Sequence, residues 1–272
     1  MSTNFQDLFS VRGKVALVTG GSRGIGEMIA AGLLAHGAKV YISSRKADAC
    51  AATARRLSEL GEGRGGTCIA LPADLSTVEG CTHLAAELAK REARLDILVN
   101  NAGAAWGAPI ESFPEVGWDK VMDTNVKGVF FLTQQCLPLL RAAAQGPSPA
   151  RVINIGSVDG IKSASFDSYS YGASKAAVHH LTRFLAKRLT PERILVNAIA
   201  PGPYPTWMLS TGVGHGGATD GVDWSAVTAS NPSGRVGTPE DIAGLAIFLS
   251  SRAGEYVVGQ TIASDGGVVA SL

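Results

Sequence analysis

VALVTGGSRGIG, residues 15–26, holds the key to the chain's architecture. Five apolar, strand-forming residues, Val15–Thr19, run directly into TGGSRGIG (19–26), and a helical pattern opens inside that motif. Gly20, Gly24 and Gly26 let the backbone turn sharply and let a ligand approach it. A helix that starts there presents unpaired N–H groups, and its dipole favours negative charge. The ligand such a strand–loop–helix unit suits is a pyrophosphate, with Gly20, Ser22, Arg23, Gly24, Ile25 and Gly26 as candidate contacts.

The same alternation continues along the chain. Short apolar runs at Val40–Ser43, Thr67–Leu71, Ile97–Asn100, Val152–Ile155, Leu195–Ile199 and near Gln260–Ala263 alternate with helical patterns over 24–36, 47–60, 77–91, 118–144, 171–189 and 239–250. Strands separated by helices require right-handed crossovers and a parallel sheet covered on both faces. The spacing therefore predicts one α/β domain over residues 1–272, a doubly wound Rossmann fold with a parallel sheet of about seven strands. In that architecture ligands collect beyond the carboxyl ends of the strands, so functional residues should follow strands directly.

Composition narrows the function. The 272 residues are 46% hydrophobic, and Lys+Arg 24 against Asp+Glu 23 leaves a net charge of +1 with no block of like charge. Neither a nucleic-acid surface nor an anionic membrane fits that balance, whereas a small molecule does. Cys50, Cys68, Cys81 and Cys136 stand 18, 13 and 55 residues apart, which matches no zinc or redox pattern and reads as buried, reduced thiols. The start, MSTNFQDLFSVRGK, lacks the apolar run of a signal peptide, and no stretch of about 18 apolar residues follows. A soluble, cytoplasmic protein is expected. His179 and His180 have no carboxylate pattern around them and read as ordinary helix residues, so no metal is implied. Two segments interrupt the rhythm: GEGRGG (61–66), a surface turn, and the Gly, Pro, Ser and Thr-rich stretch 202–235, a substrate lid over 203–235 or a disordered excursion.

The second strand ends in VYISSRK (40–46). Proteins that bind NAD usually carry a carboxylate there for the ribose 2′-hydroxyl; this chain has Ser44, Arg45 and Lys46. With Arg23 beside Arg45, two guanidiniums would suit a 2′-phosphate, so NADP(H) is the expected cofactor. The alternative is that Arg45 and Lys46 are solvated residues opening a helix and Arg23 packs over the glycine loop.

SYSYGASK (168–175) contains two tyrosines and a lysine. Tyr171 and Lys175 are four apart and share a helix face, about 40° apart, whereas Tyr169 would lie about 240° from Lys175. A phenol has an ordinary pKa of about 10. An adjacent ammonium lowers it, so Lys175 could ready Tyr171 for proton transfer near neutral pH. Ser157 directly follows the strand RVINI (151–155), where a hydroxyl can stabilise charge growing on a substrate oxygen. Ser163, Ser165, Ser168 and Ser170 compete with it, but none ends a strand. Asp159, two residues on, either sets polarity near a substrate or faces solvent. Asn125 interrupts an apolar helical pattern in DTNVKGVFFLTQQ (123–135).

TGGSRGIG at 19–26, NNAG at 100–103, Asn125, Ser157, YGASK at 171–175 and PG at 201–202 occur in an order and spacing that resembles the short-chain dehydrogenase/reductases. The likeness runs from Gly13 to about Gly267, and within the family the chain is most similar to the NADPH-dependent β-ketoacyl reductases, including the rhamnolipid-pathway type. The resemblance implies Tyr171 as acid/base and Lys175 as its partner, which also holds the nicotinamide ribose. Ser157 would bind the substrate oxygen, and Asn125 would hold a relay water. It also implies that Asp74 and Leu75 meet the adenine, that Asn101, Ala102 and Gly103 pack beside the adenosine ribose, and that Pro201, Gly202, Tyr204 and Thr206 lie near the nicotinamide. Pro203, Tyr204 and Pro205 are bulkier than is usual there. Trp106, Asp159, Trp207 and Met208, with Trp224, are candidates for an apolar substrate pocket or for packing. The implied protein is a homotetramer that reduces a carbonyl, or oxidises an alcohol, on a small molecule such as a 3-oxoacyl thioester. Rival readings are a sugar, polyol, steroid or small-ketone oxidoreductase and a non-catalytic nucleotide sensor. The family's enoyl reductases leave six residues between tyrosine and lysine, and Tyr169 to Lys175 leaves five.

Overall fold

The computed structural model describes residues 5–63, 65–163, 166–210 and 223–271. Among them, strands β1 (Val15–Thr19), β2 (Lys39–Ser43), β3 (Thr67–Ala70), β4 (Ile97–Asn100), β5 (Ala150–Ile155), β6 (Ile194–Pro201) and β7 (Thr261–Ser264) form one parallel sheet in the order β3-β2-β1-β4-β5-β6-β7. The helices are α1 (Gly24–Ala35), α2 (Ala47–Gly61), α3 (Val78–Ala89), α4 (Glu115–Met122), α5 (Gly128–Ala144), α6 (Tyr169–Leu189), α7 (Trp207–Ser210), α8 (Trp224–Ser230) and α9 (Pro239–Ser250).

The apolar strand runs are explained by burial on both faces. One core packs α1, α2 and α9 against the sheet through residues such as Ile29, Leu33, Ile42, Leu57, Val99 and Ile242. The other packs α3, α5 and α6 through Leu17, Leu84, Leu98, Leu132, Leu140 and Val196. Each such side chain contributes about 2 kcal/mol relative to exposure, so the sheet's two apolar faces hold the helices in place. The four cysteines are all buried and unpaired. No helix of the described residues is long and apolar enough to cross a membrane.

The strand order reverses between β1 and β4. Register aligns the carboxyl ends, with Thr19 opposite Ser43, Asn100 opposite Asn154, and Ile155 opposite Ile199. Gly20, Ser44, Asn101 and Gly156 therefore leave the sheet along one edge, at the switch point where ligands are expected.

Two helical expectations change. The pattern over 118–144 begins at Glu115, just past Pro114, and is broken by a π-helical turn at Asp123–Lys127 between α4 and α5. Such a turn takes one extra residue and reorients the helix beyond it. Helix α6 begins at Tyr169, two residues earlier than expected. A buried polar chain then locks α5 and α6 to the sheet: Asn100 Nδ2 donates to Thr133 Oγ1 and to Asn154 Oδ1, both at 2.9 Å, and Asn154 Nδ2 donates to Thr182 Oγ1 at 2.9 Å. Buried amides of this kind hold position because leaving one unpaired is costly.

The expected lid lies partly outside the described residues, at 211–222. Its described ends are anchored. The Tyr204 hydroxyl is 2.6 Å from Ser264 Oγ, and Asn231 Nδ2 donates to the Asp265 carbonyl at 3.0 Å. The carboxylate of Asp265 also accepts from the N–H groups of Gly267 and Val269, which closes the turn that follows β7.

Candidate active site

The glycine loop needs the glycine at position 20. Its φ of +64° lies in the left-handed region, and a Cβ there would stand 2.7 Å from Asn101 Nδ2 and 3.0 Å from Ala102 Cα. The close approach is held by Thr19, the last residue of β1. Its hydroxyl accepts from the N–H groups of Asn101 and Ala102, both at 2.9 Å, and its carbonyl accepts from Asn101 Nδ2 at 2.8 Å. The loops after β1 and β4 are thus bolted together across the switch point. Thr19 was not singled out from sequence, although it is the first residue of TGGSRGIG.

Helix α6 is drawn onto the Ser157 loop by close packing. At Gly160, a Cβ would lie 2.6 Å from the Lys175 carbonyl carbon and 2.8 Å from the His179 ring. His179 is buried against this loop, and burial pushes its imidazole down to about 4, so it is neutral at ordinary pH. It is more than an ordinary helix residue: it fills the space under Gly156 and Gly160. His180 is exposed, 3.1 Å from Arg183.

This packing brings Ser157, Tyr171 and Lys175 together. Ser157 follows β5 in extended conformation, is buried, and its hydroxyl accepts from the Asp159 N–H at 3.1 Å. It also stands near enough to the Tyr171 phenol to draw its pKa down. Lys175 is 5% exposed and donates to the Ile155 carbonyl at 2.8 Å, with its ammonium 5.5 Å from the centre of the Tyr171 ring. Tyr169 falls on another face, as its angular offset requires. It is 41% exposed, donates to Asp167 Oδ1 at 2.8 Å and packs edge-on against Phe113.

The electrostatics correct one expectation. The expected lowering of the Tyr171 pKa does not prevail. Burial pushes the phenol up to about 12, opposed by the Ser157 hydroxyl and reinforced by the Asp159 carboxylate. Lys175 itself is brought down to about 8 by burial, against the pull of Asp159. The Lys175 ammonium is held by the Ile155 carbonyl, and the dry surroundings disfavour both charged forms.

Asn125 lies in the π-helical turn and is 1% exposed. Its Oδ1 accepts from the Ala104 N–H at 2.7 Å, and its Nδ2 donates to the Ala104 carbonyl and to Ser174 Oγ, each at 2.9 Å. A Cβ on Gly103 would be 3.4 Å from Asn125 Oδ1 and 3.8 Å from Lys175 Nζ, so the NNAG turn, Asn125 and Lys175 converge on one point. Ser174, which carries one of the three hydrogen bonds, was also passed over in the sequence, though it sits inside YGASK.

Other expected residues fall differently. The Arg23 guanidinium is stacked 4.1 Å from the centre of the Trp207 ring, where α7 comes down over the glycine loop and offers an aromatic face. Arg45 and Ser44 follow β2, with Arg45 exposed in a cleft shared with Ser76, Lys120 and Asp123. Thr206 lies over the loop, its methyl 3.3 Å from where a Gly24 Cβ would stand, and its hydroxyl accepts from the Leu209 N–H. The Tyr204 side chain points into the core and is 2% exposed. Leu75 is likewise turned into the second core, and the Asp74 carboxylate accepts from the N–H and hydroxyl of Ser76. Trp106 packs on Gly117 beneath the Lys120 ammonium, 5.1 Å from its ring centre. Gly202 is held at the end of β6, its N–H donating to the Ser264 carbonyl at 3.0 Å just past Pro201. Ser22, Ile25 and Gly26 stay in the loop and first turn of α1, and Met208 is half-buried in α7. Among the described residues no group of His, Cys, Asp and Glu side chains could hold a metal ion.

A family model described as enoyl-(acyl carrier protein) reductase matches residues 20–269. The chain is 54% identical over 259 residues to a rhamnolipids biosynthesis 3-oxoacyl-[acyl-carrier-protein] reductase of Pseudomonas aeruginosa, covering 95% of this chain and 97% of that one. It is 35% identical to a gluconate 5-dehydrogenase of Gluconobacter oxydans, covering 98% of each. Among solved structures it superposes with a TM-score of 0.89 and 53% identity on the Pseudomonas aeruginosa RhlG/NADP active-site complex, over 97% of this chain and 100% of that one. With the serine, tyrosine and lysine gathered at the switch point of a seven-stranded doubly wound sheet, these likenesses show that the chain belongs to the short-chain dehydrogenase/reductase family of oxidoreductases.

Proposed function

We propose that this protein is an NADPH-dependent carbonyl reductase acting on 3-oxoacyl thioesters or related 3-oxo compounds. The observation that carries the reading is the Ser157–Tyr171 pair beside a buried Lys175, at the same sheet edge as the glycine loop. The name of the 54%-identical relative supports the substrate class.

The residues present fit the cofactor. Gly20 and Gly24 carry the backbone through positive φ at the start of α1, where its N–H groups would address a pyrophosphate, and no carboxylate among residues 44–46 at the end of β2 would repel a 2′-phosphate. Gly20, Ser22, Gly24, Ile25 and Gly26 would hold the pyrophosphate, with Arg45, Ser44 and Arg23 at the 2′-phosphate. Asp74 and the backbone of Leu75 would meet the adenine, and Asn101, Ala102 and Gly103 the adenosine ribose. Pro201, Gly202 and Thr206 would meet the nicotinamide, and Lys175 its ribose. When bound, NADPH supplies the hydride that reduces the carbonyl carbon. Ser157 orients the carbonyl oxygen by hydrogen bonding, Tyr171 hands its phenolic proton to the oxygen as negative charge grows there, and Lys175 and Asn125 lead a replacement proton towards Tyr171. Trp207 and Met208 would face the substrate's chain.

The pKa values set a direction. A phenol held up at about 12 carries its proton throughout the neutral range, ready to act as an acid, whereas alcohol oxidation needs its conjugate base. Between about pH 6 and 8, ketone reduction should be nearly flat and alcohol oxidation should climb with pH; initial rates in both directions check this. Arg45→Asp places a carboxylate at the end of β2 and should cut the NADPH over NADH preference by about tenfold or more, since two like charges facing each other cost over about 1.4 kcal/mol; an unchanged ratio of the two kcat/KM values would reject the 2′-phosphate site.

The reading itself is tested with a panel of 3-oxoacyl thioesters, 3-oxo esters and simple ketones, following loss of reduced-nicotinamide absorbance. Consumption of NADPH with the 3-oxo compounds is expected. No consumption with any carbonyl, nor reduction of NADP+ by alcohols, would favour a nucleotide-sensing protein. Size-exclusion with light scattering tests the homotetramer we infer by family likeness.

A further inference from the structure

Asp159 takes no part in the proton transfer described above. It occupies the short 3₁₀ turn Val158–Gly160, two residues past Ser157, and its N–H is bound to the Ser157 hydroxyl at 3.1 Å. The turn is packed against α6, its Asp159 carbonyl 3.2 Å from where a Gly172 Cβ would stand, one residue past Tyr171. Asp159 is only half-buried, and among the described residues its carboxylate accepts no hydrogen bond and forms no ion pair. A partly buried carboxylate without a partner is costly, and its field acts on whatever occupies the neighbouring space. That field reaches the reacting groups: it raises the pKa of both Tyr171 and Lys175, while Lys162 and Lys175 draw the Asp159 pKa back from the rise that burial causes.

We propose that Asp159 is a specificity-determining residue whose unpaired carboxylate, beside Ser157 and Tyr171, disfavours substrates with a negative charge next to the reacting carbonyl and favours neutral 3-oxo thioesters and esters. This rests on the carbonyl-reductase reading. It separates the chain from a sugar-acid specificity such as the name of its 35%-identical relative describes. Discrimination by a like charge placed against the unwanted ligand is a common source of selectivity.

The test uses two substrates with the same ketone and different charge, 3-oxobutanoate and its ethyl ester, with NADPH and the wild-type, Asp159→Asn, Asp159→Ser and Asp159→Glu proteins. The wild type is expected to prefer the ester. Removing the charge in Asp159→Asn or Asp159→Ser should raise the acid-to-ester ratio of kcat/KM by about tenfold or more, chiefly through a lower KM for the acid. Asp159→Glu, which restores the charge, should restore the preference; a role in shaping the turn alone would move both substrates together. Equal reduction of acid and ester by the wild type overturns the proposal. So does a ratio that neither neutral variant changes. Reduction of neither substrate, nor of the thioester and ketone panel, overturns the carbonyl-reductase reading and this proposal with it, an outcome distinct from reduction of both without discrimination.

Discussion

Tyr171→Phe should lower kcat by about 10²- to 10⁴-fold, the usual worth of a positioned general acid, while leaving NADPH affinity near the wild-type value. In the proposed mechanism the phenol donates the proton, and the nearby Ser157 hydroxyl orients the carbonyl without protonating it. Phenylalanine keeps the ring beside which the Lys175 ammonium sits at 5.5 Å, and Lys175 keeps its hydrogen bond to the Ile155 carbonyl. The cofactor side of the site should therefore survive. Single-turnover and steady-state rates, with NADPH binding followed by fluorescence, separate the two effects. Near-normal turnover would remove Tyr171 from the mechanism. Tyr169→Phe is the matched control: it loses only an exposed hydrogen bond to Asp167, and activity should stay within about twofold.

Asn125→Ala should be damaging in a different way. The side chain satisfies the buried N–H and carbonyl of Ala104 and the hydroxyl of Ser174, and each group left unpaired costs about 1–3 kcal/mol. A loss of about 3 kcal/mol would lower the thermal midpoint by about 6 °C or more. Because Ala104 continues the NNAG turn and Ser174 adjoins Lys175, the same change loosens both walls of the site, so kcat should fall as well. Ser174→Ala removes one of the three hydrogen bonds and should lose correspondingly less stability. If Asn125→Ala kept wild-type stability and turnover, neither the anchoring nor the relay role would stand.

The elements that were legible share a cause. β1, β4, β5 and β6 are buried on both faces of a parallel sheet, so most of their residues are apolar and they can be recognised as runs despite Arg151, Asn154 and Asn197. The glycine loop was legible because its turn and close approach exclude side chains. Tyr171 and Lys175 were legible because helical periodicity brings residues four apart together, whatever the rest of the molecule does. The boundaries of the helix over 118–144 were not. A π-helical turn at Asp123–Lys127 depends on how α4 and α5 dock, and no single residue type announces it.

The sequence by itself determined the fold class, the strand-end location of the candidate site and the pairing of Tyr171 with Lys175 on one helix face, because each rests on local periodicity or on a residue type with one structural use. Only the tertiary structure decided what surrounds those groups. The bolt from Thr19 to Asn101 and Ala102, the chain through Asn100, Asn154 and Thr182, the stack of Arg23 on Trp207 and the turn of Tyr204 into the core join residues from 28 to 184 positions apart. The pKa of Tyr171 belongs to the same class. Neighbouring sequence suggested an ammonium that would lower it, and burial by several distant elements raises it instead, because desolvation depends on everything packed around a group and spacing reports only one neighbour.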